Sequence, residues 1–124
     1  MAKILVIEDN EKNLKLVNFL LCKEGYDVLV AINAEDGIAL AVAELPDLIL
    51  MDIQLPGIDG LEATRQLKAQ IQTAGIKIIA LTAFAMEGDQ QRIVDAGCDG
   101  YISKPIRYRI FLADIVRFLG GRGS

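Results

Sequence analysis

The sequence predicts an α/β protein: one five-stranded parallel sheet with helices on both faces. Three observations point there. Dense apolar runs recur at residues 4–7, 28–32, 48–51, 78–81 and 101–102. Longer segments of helical period alternate with them, the pattern of successive βα units. The runs are mostly β-branched or leucine-rich and lack polar alternation, as expected of strands covered on both faces.

Each element follows in turn. The first run sits in MAKILVIED and ends in Glu8 and Asp9. The helix predicted over 11–24 stops at Gly25, a residue suited to the left-handed conformation that closes helices. Leu14, Val17 and Leu21 give it an inner face. A second helix, over 35–44, follows Asn33 and ends before Pro46. A third, over 60–72, opens after Asp59, a suitable N-cap, and ends before Gly75. A fourth, over 87–96, stops at Gly97. A fifth, over 107–119, runs into the glycine-rich residues 120–124, read as a flexible tail. Residues 1–119 are therefore expected to form one domain.

Composition narrows the function classes. A chain of 124 residues with 52% hydrophobic content suits one packed core. No apolar run approaches membrane-spanning length, and the apolar start is too short for a signal peptide, so no membrane partner and a cytoplasmic location are expected. A net charge of -4 and a pI of about 4.8 lack the basic excess of a nucleic-acid binder. Cys22 and Cys98 have no metal-ligand spacing and are expected to be small buried apolar residues. With no histidine, chemistry falls to carboxylates, hydroxyls, lysine and backbone.

Those groups collect at the strand ends. Glu8 and Asp9 close the first run, Asp52 the third, Thr82 the fourth, and Lys104 with Pro105 the fifth. In a parallel sheet all these ends share one edge, and with the order 2-1-3-4-5 the first and third strands adjoin where the order reverses. Three carboxylates in one cleft repel unless a cation lies among them. Hard oxygen donors without imidazole or thiolate favour magnesium, which keeps water and a phosphate oxygen among its ligands. Lys104 adds a point charge for the same anion, and Thr82 a hydroxyl donor. A carboxylate can attack phosphorus to form an aspartyl-phosphate. Asp52, central and followed by a turn rather than another acid, is the expected nucleophile.

The segments VIEDN, LILMDIQLPGIDG, ALTAFA and ISKPI together resemble the receiver domain of two-component response regulators. The wording is most similar to single-domain receivers of the cell-division regulator type and to receiver modules of hybrid histidine kinases. The resemblance spans about residues 3–119 and implies a flavodoxin-like receiver fold. It implies that Asp52 takes a phosphoryl group from a histidine on a partner kinase or phosphotransfer protein. Asp9, Asp52 and the Gln54 carbonyl would hold Mg2+, with Glu8 acting mainly through metal-bound water. Lys104, joined to Pro105 by a cis bond, would pair with the phosphoryl oxygens. Thr82 and the Ala83 N–H would bind and report the phosphoryl group. Tyr101 would be the switch aromatic on a responsive surface of fourth helix, fifth strand and fifth helix, which meets a downstream protein through Tyr101 and Arg107. The first helix, through an exposed apolar group of Leu16, Phe19 and Leu20, would meet the histidine-bearing partner. Phe84 would screen the phosphoryl group from water, and with the uncharged Gln54 would give a long-lived phosphoform. The chain's own catalysis would be limited to phosphoryl uptake and loss, with no outside substrate, and no DNA-binding output domain is expected in it.

Plainer roles stand beside these. Asp9 and Thr82 suit helix caps, Tyr101 suits packing alone, and Arg107 with Arg109 suits a solvated basic face. Leu20 and Phe19 suit gap filling. Two other classes share some of the chemistry. Aspartate-nucleophile phosphohydrolases usually carry a second acid two residues after the nucleophile, where this chain has Gln54, and need more substrate-covering chain than it has. Flavin-binding electron carriers on this fold use a Ser/Thr-rich first loop where this chain is acidic.

Overall fold

The protein, in a computed structural model, is described over residues 2–83 and 87–120. The elements are β1 (Lys3–Ile7), α1 (Glu11–Lys23), β2 (Asp27–Ala31), α2 (Ala34–Glu44), β3 (Leu48–Asp52), α3 (Gly60–Ala69), β4 (Lys77–Thr82), α4 (Glu87–Ala96), β5 (Gly100–Ser103) and α5 (Tyr108–Phe118). The strands form one sheet in the order β2-β1-β3-β4-β5, with every pairing parallel.

Alternate residues of each central strand point to opposite faces, and both faces are roofed. Leu5, Ile7, Ile49, Met51, Ile78 and Ala80 pack beneath Ala41, Leu61, Ala63, Leu67 and Ile93 of α2, α3 and α4. Ile4, Val6, Leu48, Leu50, Ile79 and Leu81 pack against Val17, Leu20, Leu21, Phe111 and Ile115 of α1 and α5. This double burial is why the central strands carry no polar alternation. The expectation does not extend to β2. As an edge strand it has one neighbour and incomplete cover, and Val30 is exposed.

The helix boundaries have local causes. Asn10, Asn33 and Asp59 cap α1, α2 and α3 by accepting from the backbone N–H groups of Asn13, Asp36 and Glu62, each satisfying a donor that the helix start leaves unpaired. Asn10, not Asp9, is thus the cap of α1. Gly25 and Gly97 take φ of 90° and 103° after α1 and α4. Helix α3 ends at Ala69, short of the expected residue 72. There the buried Thr73 donates its hydroxyl to the Leu67 carbonyl and its N–H to Gln70, tying off the helix end.

Two side-chain expectations are corrected. Leu20 is buried in the core beside Val17 and Leu21, so the exposed apolar group on α1 reduces to Leu16 and Phe19. Helical spacing puts residue 20 on the same face as Val17, which packing claims. Cys98 is buried as expected, but Cys22 is exposed. No described helix is long and apolar enough to cross a membrane.

Lys68 fastens the edge of the sheet remote from the acidic strand ends. Its Nζ donates to the carbonyls of Ala74 and Ile76 and to Asp99 Oδ2 at 3.2, 2.8 and 2.9 Å, and the same Asp99 oxygen accepts from the Ile78 N–H. Replacing Lys68 with Met keeps the stem and removes the donors. We expect a loss of about 1–3 kcal/mol in urea unfolding; an unchanged midpoint would show that the clasp contributes nothing.

Candidate functional site

Strand register assembles the acidic edge. Ile7 pairs with Met51, so the following residues, Glu8 and Asp52, come side by side. Asp52 pairs with Leu81, and Thr82 with Ser103, which brings Thr82 and Lys104 to the same edge. One residue of slip in any pairing would turn the site's side chains toward the opposite face.

Carboxylate oxygens of Glu8, Asp9 and Asp52 lie within 4.8 Å of one another. Their exposures differ sharply: Glu8 is 0% exposed and Asp52 2%, while Asp9 is open to solvent. Lys104 Nζ bridges the two buried acids, 3.1 Å from Glu8 Oε1 and 3.2 Å from Asp52 Oδ1. Backbone donors reach the same acids. The Gln54 N–H donates to Asp52 Oδ1 at 3.0 Å, and the Asn10 N–H to Glu8 Oε2 at 3.2 Å. Glu8 Oε1 is in ion-pair contact with Lys104 yet has no well-aligned hydrogen bond among the described residues. Burial, and then the hydrogen bond and charge of Asp52, push the Glu8 carboxyl from 4.5 to about 7, against the opposing pull of Lys104 and the Asn10 N–H.

The remaining expected residues fall as follows. Thr82 is buried at the end of β4, and its carbonyl accepts from the Lys104 N–H at 2.8 Å. Ala83 follows it, exposed. Phe84 lies outside the described residues. The Gln54 side chain is exposed. The Lys104–Pro105 peptide is cis. Tyr101 is half-buried and packs on the core from β5. Arg107 is exposed at the start of α5, where it makes no side-chain cap bond. Leu16 and Phe19 are exposed on α1. Sequence reasoning passed over Asn10, whose backbone steadies Glu8 while its side chain caps α1. An asparagine directly before a periodic apolar segment was the available signal.

The donor set fits a small hard cation. All the candidate ligands are oxygens, two carboxylates are buried, and the buried Glu8 Oε1 has no hydrogen-bond partner among the described residues. One lysine cannot neutralise three carboxylates.

The family model for the response regulator receiver domain matches residues 4–115. The polar-differentiation response regulator DivK of Brucella anthropi is 46% identical over 117 residues, covering 94% of this chain and 95% of the relative. DivK of Brucella ovis is 45% identical with the same coverage. Among solved structures, the receiver domain of sensor histidine kinase PA1611 from Pseudomonas aeruginosa, with a magnesium ion coordinated in its active-site cleft, superposes with TM-score 0.89. It is 34% identical, over 96% of this chain and 98% of that one. The chemotaxis protein CheY4 of Vibrio cholerae superposes with TM-score 0.91 at 26% identity, over 95% and 98%.

The raised Glu8 carboxyl has a consequence for stability. Its folded value lies above its unfolded one, so its contribution is complete below pH 4.5 and is lost as pH rises through about 7. In the presence of chelator, wild-type stability should therefore fall relative to Glu8→Gln across that window. Thermal unfolding at several pH values checks it, and a difference between the two proteins that does not vary with pH contradicts it.

Proposed function

The chain belongs to the response regulator receiver domain family, and from that premise we propose that Asp52 is its phosphoacceptor, served by Glu8, Asp9, Gln54, Thr82, Ala83 and Lys104. Receivers are phosphorylatable signalling modules of two-component pathways. They work with histidine kinases or phosphotransfer proteins and with downstream proteins. One observation carries the assignment of Asp52: its lysine ammonium and its backbone N–H, 3.2 and 3.0 Å away, converge on the single oxygen Oδ1, whereas in Glu8 the same two kinds of donor are divided between Oε1 and Oε2. Those donors orient a nucleophilic oxygen and balance the charge that collects when phosphate arrives.

In the proposed reaction a carboxylate oxygen of Asp52 attacks the phosphorus of a phosphohistidine. The new O–P bond forms as the N–P bond breaks, and the imidazole leaves. Lys104 turns from its bridging position to pair with the transferred oxygens. Thr82 and the Ala83 N–H supply further donors at the end of β4. Asp9, Asp52 and the Gln54 carbonyl would hold Mg2+, with Glu8 acting mainly through bound water. Bound there, the ion supplies charge neutralisation for the incoming phosphoryl oxygens. The buried Glu8 Oε1 supports this reading, because its contact with the Lys104 ammonium is not a formed hydrogen bond and leaves it acceptor capacity for a metal-bound water.

Residues 1–119 are taken as the receiver unit. The partner histidine domain is proposed to dock on the exposed Leu16 and Phe19 of α1 beside the active-site loops. A downstream protein would meet the α4–β5–α5 surface, where Tyr101 sits half-buried between core and solvent and Arg107 is exposed. A cytoplasmic location, with neither nucleic acid nor membrane as partner, completes the reading.

Incubation with acetyl phosphate and Mg2+ should attach one phosphoryl group to wild-type protein and none to Asp52→Asn, by intact mass. Equal labelling of the mutant refutes the assignment. The phosphoform is further expected to be long-lived, with the exposed Gln54 side chain adding no charge beside it. Loss of the label within seconds after donor removal would sink that part.

A further inference from the structure

We infer that Gly60, the first residue of α3, is a positioning residue for the Asp52 site: its bare Cα lets the helix start rest directly on the Asp52–Ile53 peptide. The inference rests on the reading of Asp52 as phosphoacceptor. A Cβ built at Gly60 would lie 2.7 Å from the Ile53 Cα and 2.9 Å from the Asp52 carbonyl carbon, and would overlap the Asp52 carbonyl oxygen. All three obstacles are backbone, so no side chain can swing aside. The conformation at residue 60 is ordinary helix, so glycine is required there by space and not by φ. Helix propensity gives no reason to prefer glycine to alanine at this position, which makes the close approach the reason for glycine.

That contact closes the loop of residues 53–59. The Gly60 N–H donates to the Ile53 carbonyl at 3.3 Å, and the Ile53 N–H donates to Leu81 on β4, also at 3.3 Å. The buried Thr64 holds the first turn in place, its hydroxyl donating to the Gly60 carbonyl at 2.8 Å. The loop so closed contains Gln54, whose N–H orients Asp52 and whose carbonyl is the proposed metal ligand. Leu55, buried in the core, anchors its middle. A side chain at 60 must push the helix start away or move the Asp52 peptide. Either shift misaligns the carboxylate and the Gln54 carbonyl together, and magnesium tolerates little departure from octahedral geometry.

The test compares Gly60→Ala, Thr64→Val and Ile4→Val with wild type. Ile4 is buried at the opposite end of the sheet, so its variant reports loss of stability alone. Urea unfolding ranks the stabilities, calorimetric titration gives Mg2+ affinity, and labelling with acetyl phosphate gives the phosphorylation rate. We expect Gly60→Ala to be about tenfold to a hundredfold slower with weaker Mg2+ binding, Thr64→Val to shift both in the same direction by less, and Ile4→Val to change neither. Wild-type rate and affinity in Gly60→Ala overturn the inference. So does slowing of all three in proportion to lost stability. Should Gly60→Ala not fold, Thr64→Val decides, and unchanged rate and affinity there overturn it. If wild-type Asp52 takes no label, the phosphoacceptor reading fails instead, and the Mg2+ affinities still decide whether Gly60 positions the site.

Discussion

The structure depends on a charge imbalance enclosed at one edge of its sheet. Two carboxylates, Glu8 and Asp52, are almost wholly removed from water, and the ammonium of Lys104 lies between them. Taking an ion into a protein interior costs several kcal/mol after relaxation, so a burial of this kind is a poor way to make a domain stable. Lys104 and two backbone N–H groups recover part of the cost. The rest shows in Glu8, whose carboxyl is pushed up to about 7. A well-packed apolar trio would hold the strands as well. On the proposed function, the arrangement is explained by what the charges do when a cation or phosphoryl group arrives.

The rest of the fold can be read as the mount for that edge. Parallel pairing sends every strand in the same direction, with a helical crossover returning the chain each time, so the terminal residues of β1, β3, β4 and β5 meet at one edge. Double burial of the three central strands ties their register to the packing on both faces, because a one-residue slip would move every side chain under the opposite helix layer, against a surface it is not packed to fit. The site therefore inherits its precision from the core beneath it. Residues that look remote from the chemistry, such as Ile7 and Met51, set the separation of Glu8 from Asp52 by pairing one step earlier.

This division explains what could be read from the sequence. The strands and the polar residues at their ends, Glu8, Asp9, Asp52, Thr82 and Lys104, were legible because apolar runs ending in polar residues name both the strand and its end, while the strand order that makes them converge came with the family resemblance. Boundaries set by contacts distant in the chain were not. Thr73 ends α3 early by reaching back to Leu67, and nothing local distinguishes it from an ordinary loop threonine. Leu20 sits with Leu16 and Phe19 in the sequence pattern but also one turn after Val17, and only the packing of α1 on the sheet shows that Leu20 is covered and Phe19 is not. The partial cover of β2 follows from its place at the edge, which the strand's own composition does not announce. Gly60 could be seen as the start of a helix, but its need to be glycine exists only where the helix touches the Asp52 backbone.

Charge counting also limits how the proposed switch can work. A phosphoryl group on Asp52 carries about two negative charges near neutral pH, by analogy with other phosphorylated side chains. Glu8 and Asp9 remain beside it, and Lys104 is the one cation paired with the cluster among the described residues. Without a divalent ion the modified site is more negative than the unmodified one by about one charge, in a setting where Glu8 already resists ionisation. Two responses lower that energy. A cation can stay with the carboxylates, which frees Lys104 from its bridge to reach the phosphoryl oxygens. Donors from the end of β4 can also move in, which requires Thr82 and Ala83 to shift relative to β5. Because Thr82 pairs with Ser103, two residues beyond Tyr101, such a shift reaches the half-buried tyrosine through the sheet itself. The coupling between site and surface then needs no separate path: the same strand ends that gather the acids carry the movement outward.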